Sequence, residues 1–527
     1  MSRSAITKVQ AAIIALIVIV AAIVVVVITT LPTPTPPPGP ATIKGKVIDE
    51  LTGLPVAGAT VRCDGYMTST ATDGTYSLSI KVGNYTLTVS KEKYETEKLT
   101  VSISEEKEYT FDINLKRALI VAEVKIGLLY PFTGAAGAFG EEAKRVYELI
   151  VEEINKKGII SLGGAKIKLI YADTESMPDP GVAAAERLIT VDKVHLIMGC
   201  VQSGVAVPTT AVAEKYGVPY YVVEPVADII TERGFKWVFR HRAKASYYGR
   251  DMWMPGGIIA YLEQVWGIKV KTFVHLFEDT EFARSTENAL KAYHDLYRPD
   301  VEYISICHPY PAVSLDVEIS KIKAIDPDIL LMTNYPPGGM LAIDTMIKLG
   351  YNPKMLIGFC SAVNPAFIEY CGKKLLGFIA CDTWSSGCTM PGATILGKTL
   401  DEWERLHFER YGLPLTTVGV ECLSAMSVVY EILEKVGSVE PEALREGFRT
   451  IKTTHHFLPF ETVEFDESGQ NPNARNNPGV YMWDKNLNKV RFFSIWPPEV
   501  AVPGIEKYLK YPAPSWEERE KDYVWPP

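Results

Sequence analysis

Residues 199–204 read GCVQSG. An apolar run, VHLIMG, leads into them and a helical stretch, AVPTTAVAEKYG, leads out. A buried strand that ends in glycine and opens straight into a helix leaves backbone amides without partners at the helix start. Together with the helix dipole, these attract a carboxylate or another negative or polar group. Ser203 can cap that helix and present its hydroxyl. Glycines such as Gly204 permit close backbone approach. The plainer alternative is a helix cap with no ligand.

The other chemistry-bearing groupings point to less. Glu278 and Asp279 have the types of a catalytic pair, but adjacent residues at a strand end point apart. His455 and His456 lack a nearby acid or cysteine to complete a metal set. Eight cysteines contain no CxxC pair and read as buried thiols or one or two disulfides. No GxSxG, HExxH or GxxxxGK[ST] occurs. No catalytic residue, metal or cofactor is expected. The formal net charge of −9, with no cluster of Lys and Arg, argues against a nucleic-acid partner.

The elements that would position Ser203 alternate. From Val124, VKIGLLYPF, KIKLIYAD, VHLIMG and VPYYVVEP are apolar strands, and amphipathic helices lie between them. Continuous apolar strands separated by helices mean a parallel sheet covered on both faces. A second run, from KTFVHLFED through PDILLMTNY to KMLIGF, makes a second lobe of similar size. In such sheets ligands sit beyond the carboxyl ends of the strands, where GCVQSG lies.

Upstream, the texture differs. Ala11 to Ile28 are 18 apolar residues, preceded by Arg3 and Lys8 and followed by no basic residue until Lys44. That length and charge bias predict a single-pass anchor, its N-terminus cytoplasmic and the bulk of the chain extracellular. A cleaved signal peptide is the rival, but VITTLPTP is a poor cleavage site. A Pro/Thr-rich linker follows, which cannot pack as helix or sheet. Short alternating strands such as GTYSLSI and GNYTLTVS, joined by polar turns, predict a small antiparallel sandwich. The expected domains are residues 1–30 for the cytoplasmic stub and anchor, 31–42 for the linker and 43–117 for the sandwich. Residues 123–500 form the two lobes and 501–527 a C-terminal tail.

The pattern GKVIDELTGLPVAGATV…TATDGTYSLSIKVGNYTLTVSKEKYE resembles the carboxypeptidase regulatory-like, transthyretin-like sandwich family from Gly45 to Leu115. Such modules usually act as spacers or adhesion units. Further on, LLYPFTGAAGAFGEEAKR, VVEPVADI, FRHRAKASYYG, FEDTEFARS, TNYPPGG and LIGFCSAVN occur in that order. Together they resemble the branched-chain amino acid binding proteins of ABC importers, from about Val124 to Pro498. The resemblance implies an α/β, two-lobed type I periplasmic-binding fold, here preceded by a transmembrane helix and the all-β sandwich. It implies a small-molecule ligand such as an amino acid or amide, and a permease and a separate ATPase as partners.

It also implies a site. Ser203, with Gly204 beside it, matches the serine that binds the ligand carboxylate. Val226 and Asp228 fall in the strand-end loop that contributes a carbonyl and a hydroxyl with an amide. Phe139, Phe282 and Tyr335 match pocket aromatics. Cys360 falls where the family often has a glutamate that pairs with the ligand ammonium. Cys360 cannot supply that carboxylate, Asp228 replaces a hydroxyl, and Ala245 stands where an acid is usual. A neutral amide-like or cationic ligand therefore fits as well as an amino acid. The alternative function is a ligand-binding ectodomain of a sensor without a transport role.

Overall fold

The computed structural model describes residues 40–118, 121–388, 390–519 and 523–525. The apolar span expected over residues 11–28 lies outside them, as does the linker up to residue 39. Among the described residues, no helix is long and apolar enough to cross a membrane. The chain divides into two units after Ala118.

The first unit is a sandwich. Its strands are β1 (Ala41–Asp49), β2 (Thr60–Cys63), β3 (Tyr66–Ser69), β4 (Thr75–Ile80), β5 (Gly83–Ser90), β6 (Glu97–Ile103), β7 (Glu108–Thr110) and β8 (Ile113–Leu115). One sheet runs β4-β1-β7 with β8 also on β1, and the other runs β3-β2-β5-β6. In β4 the period of two sets the faces: Tyr76, Leu78 and Ile80 are buried while Thr75, Ser77 and Ser79 are exposed. These side chains join Val47, Val61 and Val89 in one core. Asp49, at the end of β1, is buried. It accepts hydrogen bonds from the Tyr94 hydroxyl at 2.6 Å and Arg117 Nε at 2.7 Å.

The second unit has two lobes. Lobe 1 begins with β9 (Glu123–Tyr130), α1 (Gly137–Asn155), β10 (Lys166–Asp173), α2 (Pro178–Thr190), β11 (Leu196–Gly199), α3 (Ser203–Tyr216), β12 (Tyr220–Val222) and β13 (Val238–Arg240). Its sheet is parallel, in the order β10-β9-β11-β12-β13. The chain then crosses to lobe 2, built from α4 (Ala245–Trp253), α5 (Ile258–Trp266), β14 (Thr272–Glu278), α6 (Glu281–Tyr297), β15 (Glu302–His308), α7 (Asp316–Ile325), β16 (Ile329–Asn334), α8 (Pro336–Lys348), β17 (Leu356–Cys360), α9 (Pro365–Cys371) and β18 (Ile379–Asp382). It returns through α10 (Leu400–Tyr411) to α11 (Thr417–Val436), α12 (Pro441–Thr450), β19 (Lys452–Thr453) and β20 (Val463–Glu464), with α11 and α12 packed on lobe 1. A third crossing leads to β21 (Asn477–Asp484), β22 (Lys489–Ser494) and β23 (Val524–Trp525) in lobe 2.

Burial follows position in the sheet. The inner strand β16 is buried along its whole length, whereas the edge strand β15 is half-buried or exposed up to His308. In α1, Ala143, Val146, Tyr147, Ile150 and Ile154 recur at helical spacing and are buried. The helix packs on α11, whose residues are buried on nearly every side from Thr417 to Val429.

Residues 501–527, expected as a tail, are built into lobe 2 as far as they are described. Ile505, Tyr508, Leu509 and Tyr523 are buried, and β23 pairs with β21. The Arg519 guanidinium stacks 3.6 Å over Phe378. An irregular segment rich in proline and aromatics carries no period, but its rings still bury apolar area against a sheet.

Candidate ligand-binding cleft

Gly199 ends β11 at φ +140°, and an added Cβ would lie 2.1 Å from the Leu129 carbonyl oxygen of β9. Only glycine fits this conformation and approach. The chain thereby turns from the sheet into α3 and sets Ser203 at the mouth of lobe 1. Ser203 does not cap its helix: Gln202 is the N-cap residue and makes no side-chain cap. Instead, Ser203 Oγ accepts from the Val226 and Ala227 amides at 3.3 and 3.2 Å, tying the β11 and β12 loops together. The hydroxyl keeps one proton to donate.

Between the lobes lies a cavity of about 30 Å³. Phe139, Ser203, Val226, Phe282, Tyr335 and Cys360 all line it, six of the eight residues expected. They come from the carboxyl ends of strands in both lobes, or from the loop or first helical turn that follows. The volume holds roughly one or two waters, so the lobes must part to admit a solute. Phe282 and Tyr335 pack with ring centroids 5.7 Å apart and form an aromatic wall on lobe 2. Cys360 stands at φ +56°, a strained position for a side-chain-bearing residue. Burial, with Asp382 and Glu278 nearby, pushes its thiol well above the ordinary value, so it lines the cavity as a neutral group.

The remaining two expected residues lie elsewhere. Gly204 does not line the cavity; its position faces Glu281 at the start of α6. Asp228 also stays out. Its Oδ1 accepts from the Ser246 amide at 2.9 Å and so caps the start of α4, where neither Lys244 nor Ala245 offers an acceptor. The Asp228 amide donates to Ser285 Oγ of lobe 2 at 3.2 Å. It is thus a contact between lobes, and its carboxylate is engaged by α4 and does not line the cavity.

The sequence reading missed a set of charges. Glu224, two residues after β12, Arg242, two after β13, and Asp382, at the end of β18, all line the cavity. Arg242 Nη1 donates to Glu224 Oε2 at 3.0 Å and lies 3.4 Å from Glu421 Oε2 of α11, while Nη2 bonds Asp382. The Tyr248 hydroxyl accepts from Arg242 Nη2 at 2.8 Å and donates to Asp382 Oδ1 at 3.0 Å. Burial and the facing Glu421 push Glu224 well above the ordinary carboxylate range. Burial likewise raises Glu421. The signal was present in VVEP, FRHRA, IACD and GVECL, where an ionisable residue ends or interrupts an apolar run.

The other sequence expectations separate cleanly. Glu278 is buried and Asp279 is exposed beside Arg284, so the two do point apart. His455 pairs with Glu431, and His456 is buried. All eight cysteines are free thiols. A larger cavity, about 400 Å³, lies beside Trp384, His407 and Arg491 and shares no residue with the smaller one. None of the expected site residues reaches it.

Residues 123–480 match the family described as periplasmic binding protein. The chain belongs to the periplasmic binding protein family. Residues 42–116 match the carboxypeptidase regulatory-like domain. Leu/Ile/Val-binding protein homolog 7 of Brucella suis biovar 1 (strain 1330) is 31% identical over 407 residues, covering 73% of this chain and 94% of the relative. Its counterpart in Brucella abortus (strain 2308) is 27% identical over the same shares. Among solved structures, the leucine binding protein LivK of Thermotoga maritima MSB8 aligns at TM-score 0.59 and 20% identity, covering 71% of this chain and 99% of that one. An ABC-transporter solute binding protein of Rhodopseudomonas palustris BisB5, in complex with 3,4-dihydroxybenzoic acid, aligns at TM-score 0.60 and 17% identity, covering 73% and 99%. At these identities the likeness is one of fold.

Proposed function

We propose that this periplasmic binding protein captures a small polar solute between its lobes and hands it to an ABC permease driven by a separate ATPase. The observation that carries the reading is the interlobe cavity, lined from both lobes by strand-end residues. Phe139, Ser203 and Val226 would meet the solute from lobe 1, and Phe282, Tyr335 and Cys360 from lobe 2. Three crossings between the lobes supply the hinge about which they open and close. The apolar span at residues 11–28 would hold the chain at the outer face of the cell membrane, its N-terminus inside, with linker and sandwich as spacers.

Thermal unfolding of the whole chain against a panel of amino acids, amides and amines tests the solute step. A ligand at 100 times its dissociation constant adds about 2.7 kcal/mol to the unit that binds it, a readable shift. Ser203→Ala, which removes a hydroxyl proton offered to the solute and unties the two loops, is expected to reduce the shift at fixed ligand. A panel without any stabilising member would count against solute capture.

A further inference from the structure

Three carboxyl groups, Glu224, Asp382 and Glu421, surround one guanidinium, Arg242. All four side chains are at least nine-tenths buried. If every group were ionised, the cluster would carry two uncompensated negative charges, which a low-dielectric site does not tolerate without a counter-charge or a proton. No neighbouring cation removes the excess. Arg240 turns away to Gln470, Thr231 and the Pro225 and Ala227 carbonyls. His241 is buried and held neutral, its pKa lowered to about 3. Lys244 pairs with Glu232 outside the cavity.

The cluster has a second feature. Glu224, which lines the cavity, has one carboxyl oxygen, Oε1, that no protein N–H or O–H reaches. The Glu224 and Glu421 carboxyls share the one Arg242 guanidinium, at 3.0 and 3.4 Å, and burial raises both, so protons held there are what a bound cation would replace. Of the hydroxyls that line the cavity, Ser203 has one proton to donate and Tyr335 its own, while Tyr248 gives its proton to Asp382 and Thr417 to the Trp384 carbonyl; of the Arg242 nitrogens only Nε is without a partner. A carboxylate entering here would meet those donors beside two acids, Glu224 and Asp382, with Glu421 behind them. Among the described residues no three His, Cys, Asp or Glu are placed to hold a metal ion, so a cation taking the place of those protons fits as a hydrogen-bonding polyatomic one better than as a bare one.

We propose that the solute of this cleft is a small organic cation with no carboxylate of its own, an amine or guanidinium whose N–H groups are received by Glu224 and Asp382. This rests on the solute-capture reading and narrows it: Glu224, Asp382 and Glu421 determine the charge of what is bound, and Phe139, Phe282 and Tyr335 enclose its apolar part.

The test is a charge series on one carbon skeleton, read by thermal unfolding of the whole chain. Isopentylamine is the cation, leucine the zwitterion, 4-methylpentanamide the neutral member and 4-methylpentanoate the anion, with putrescine and agmatine added. The expected result is a rise in melting temperature with the amines or agmatine alone, and at least a tenfold loss of their affinity in Glu224→Gln, which keeps the side-chain volume. Asp382→Asn is the second variant should Glu224→Gln not fold. A shift with leucine or 4-methylpentanoate as large as with any cation would overturn the charge assignment and leave solute capture standing. A cation affinity unchanged in both variants would also overturn the assignment. No shift with any member would overturn the assignment and count against solute capture itself.

Discussion

Glu278 closes β14 with its carboxyl buried beside Asn334 and Gly338 at the start of α8, the Tyr335 amide being the one donor that favours its charge. Burial pushes its pKa up to about 8. In the unfolded chain a glutamate titrates near ~4.3. The folded state therefore holds a proton that the unfolded state has lost anywhere between those values. Stability from this group is fully present below the lower value and lost as pH rises through the upper one, by up to about 1.4 kcal/mol per pH unit. Glu278→Gln removes that dependence. Urea unfolding at pH 5 and pH 8 is expected to show the variant gaining on the parent as pH rises; parallel behaviour would mean the carboxyl ionises in place. Asp49 of the sandwich shows the opposite balance. Burial would raise its pKa, but hydrogen bonds from Tyr94 and the Thr52 amide, with the Arg117 charge, hold it below the ordinary value. Its contribution is present above the unfolded value and lost as pH falls.

At the scale of elements, the β11–α3 turn is the most constrained part of the cleft. Gly199→Ala would force a Cβ into the Leu129 carbonyl and a positive φ onto a side-chain-bearing residue. The expected loss is about 2 kcal/mol or more. It should come with weaker solute binding, because Ser203 moves with the turn; an unchanged melting temperature would show that β9 and β11 can part. Such strand ends were legible beforehand. Apolar runs such as LIMG and ILLMTN are buried on both faces and end at the cleft, which is what singles out the GCVQSG segment with Ser203, whereas Tyr335 and Cys360 come from the family resemblance. The direction of a loop side chain was not legible. Asp228 opens a short 3-10 turn, and the start of α4, distant in sequence, is what claims its carboxylate. The Arg242 cluster was hidden for a similar reason: residues 224, 242, 382 and 421 lie on four separate segments and meet only once both lobes are assembled.

The whole molecule has two units with separate cores, the sandwich in one and the lobes in the other. Calorimetry of the full chain is expected to show two unfolding transitions, with a bound solute raising the one that belongs to residues 121–525 and leaving the sandwich unmoved. A single transition shifted as a whole would mean that the units unfold together. In the larger unit three crossings of the cleft and the Arg242 cluster tie the lobes together, the cluster joining Glu224 and Glu421 of lobe 1, through Arg242 of the first crossing, to Asp382 at the end of β18.

The same crossings impose a timetable on biosynthesis. The sandwich is contiguous, with strands running from Ala41 to Leu115, and can fold as soon as it emerges from the ribosome. Neither lobe can. The early strands of lobe 1 wait for α11 and α12 some two hundred residues later. Those of lobe 2 wait for β21 and β22, and then for β23, which pairs with β21 only once Val524 and Trp525 have been made. Until then the apolar faces of β14, β16 and β17 are covered incompletely. A nascent chain halted between residues 400 and 470 is where chaperone capture should concentrate.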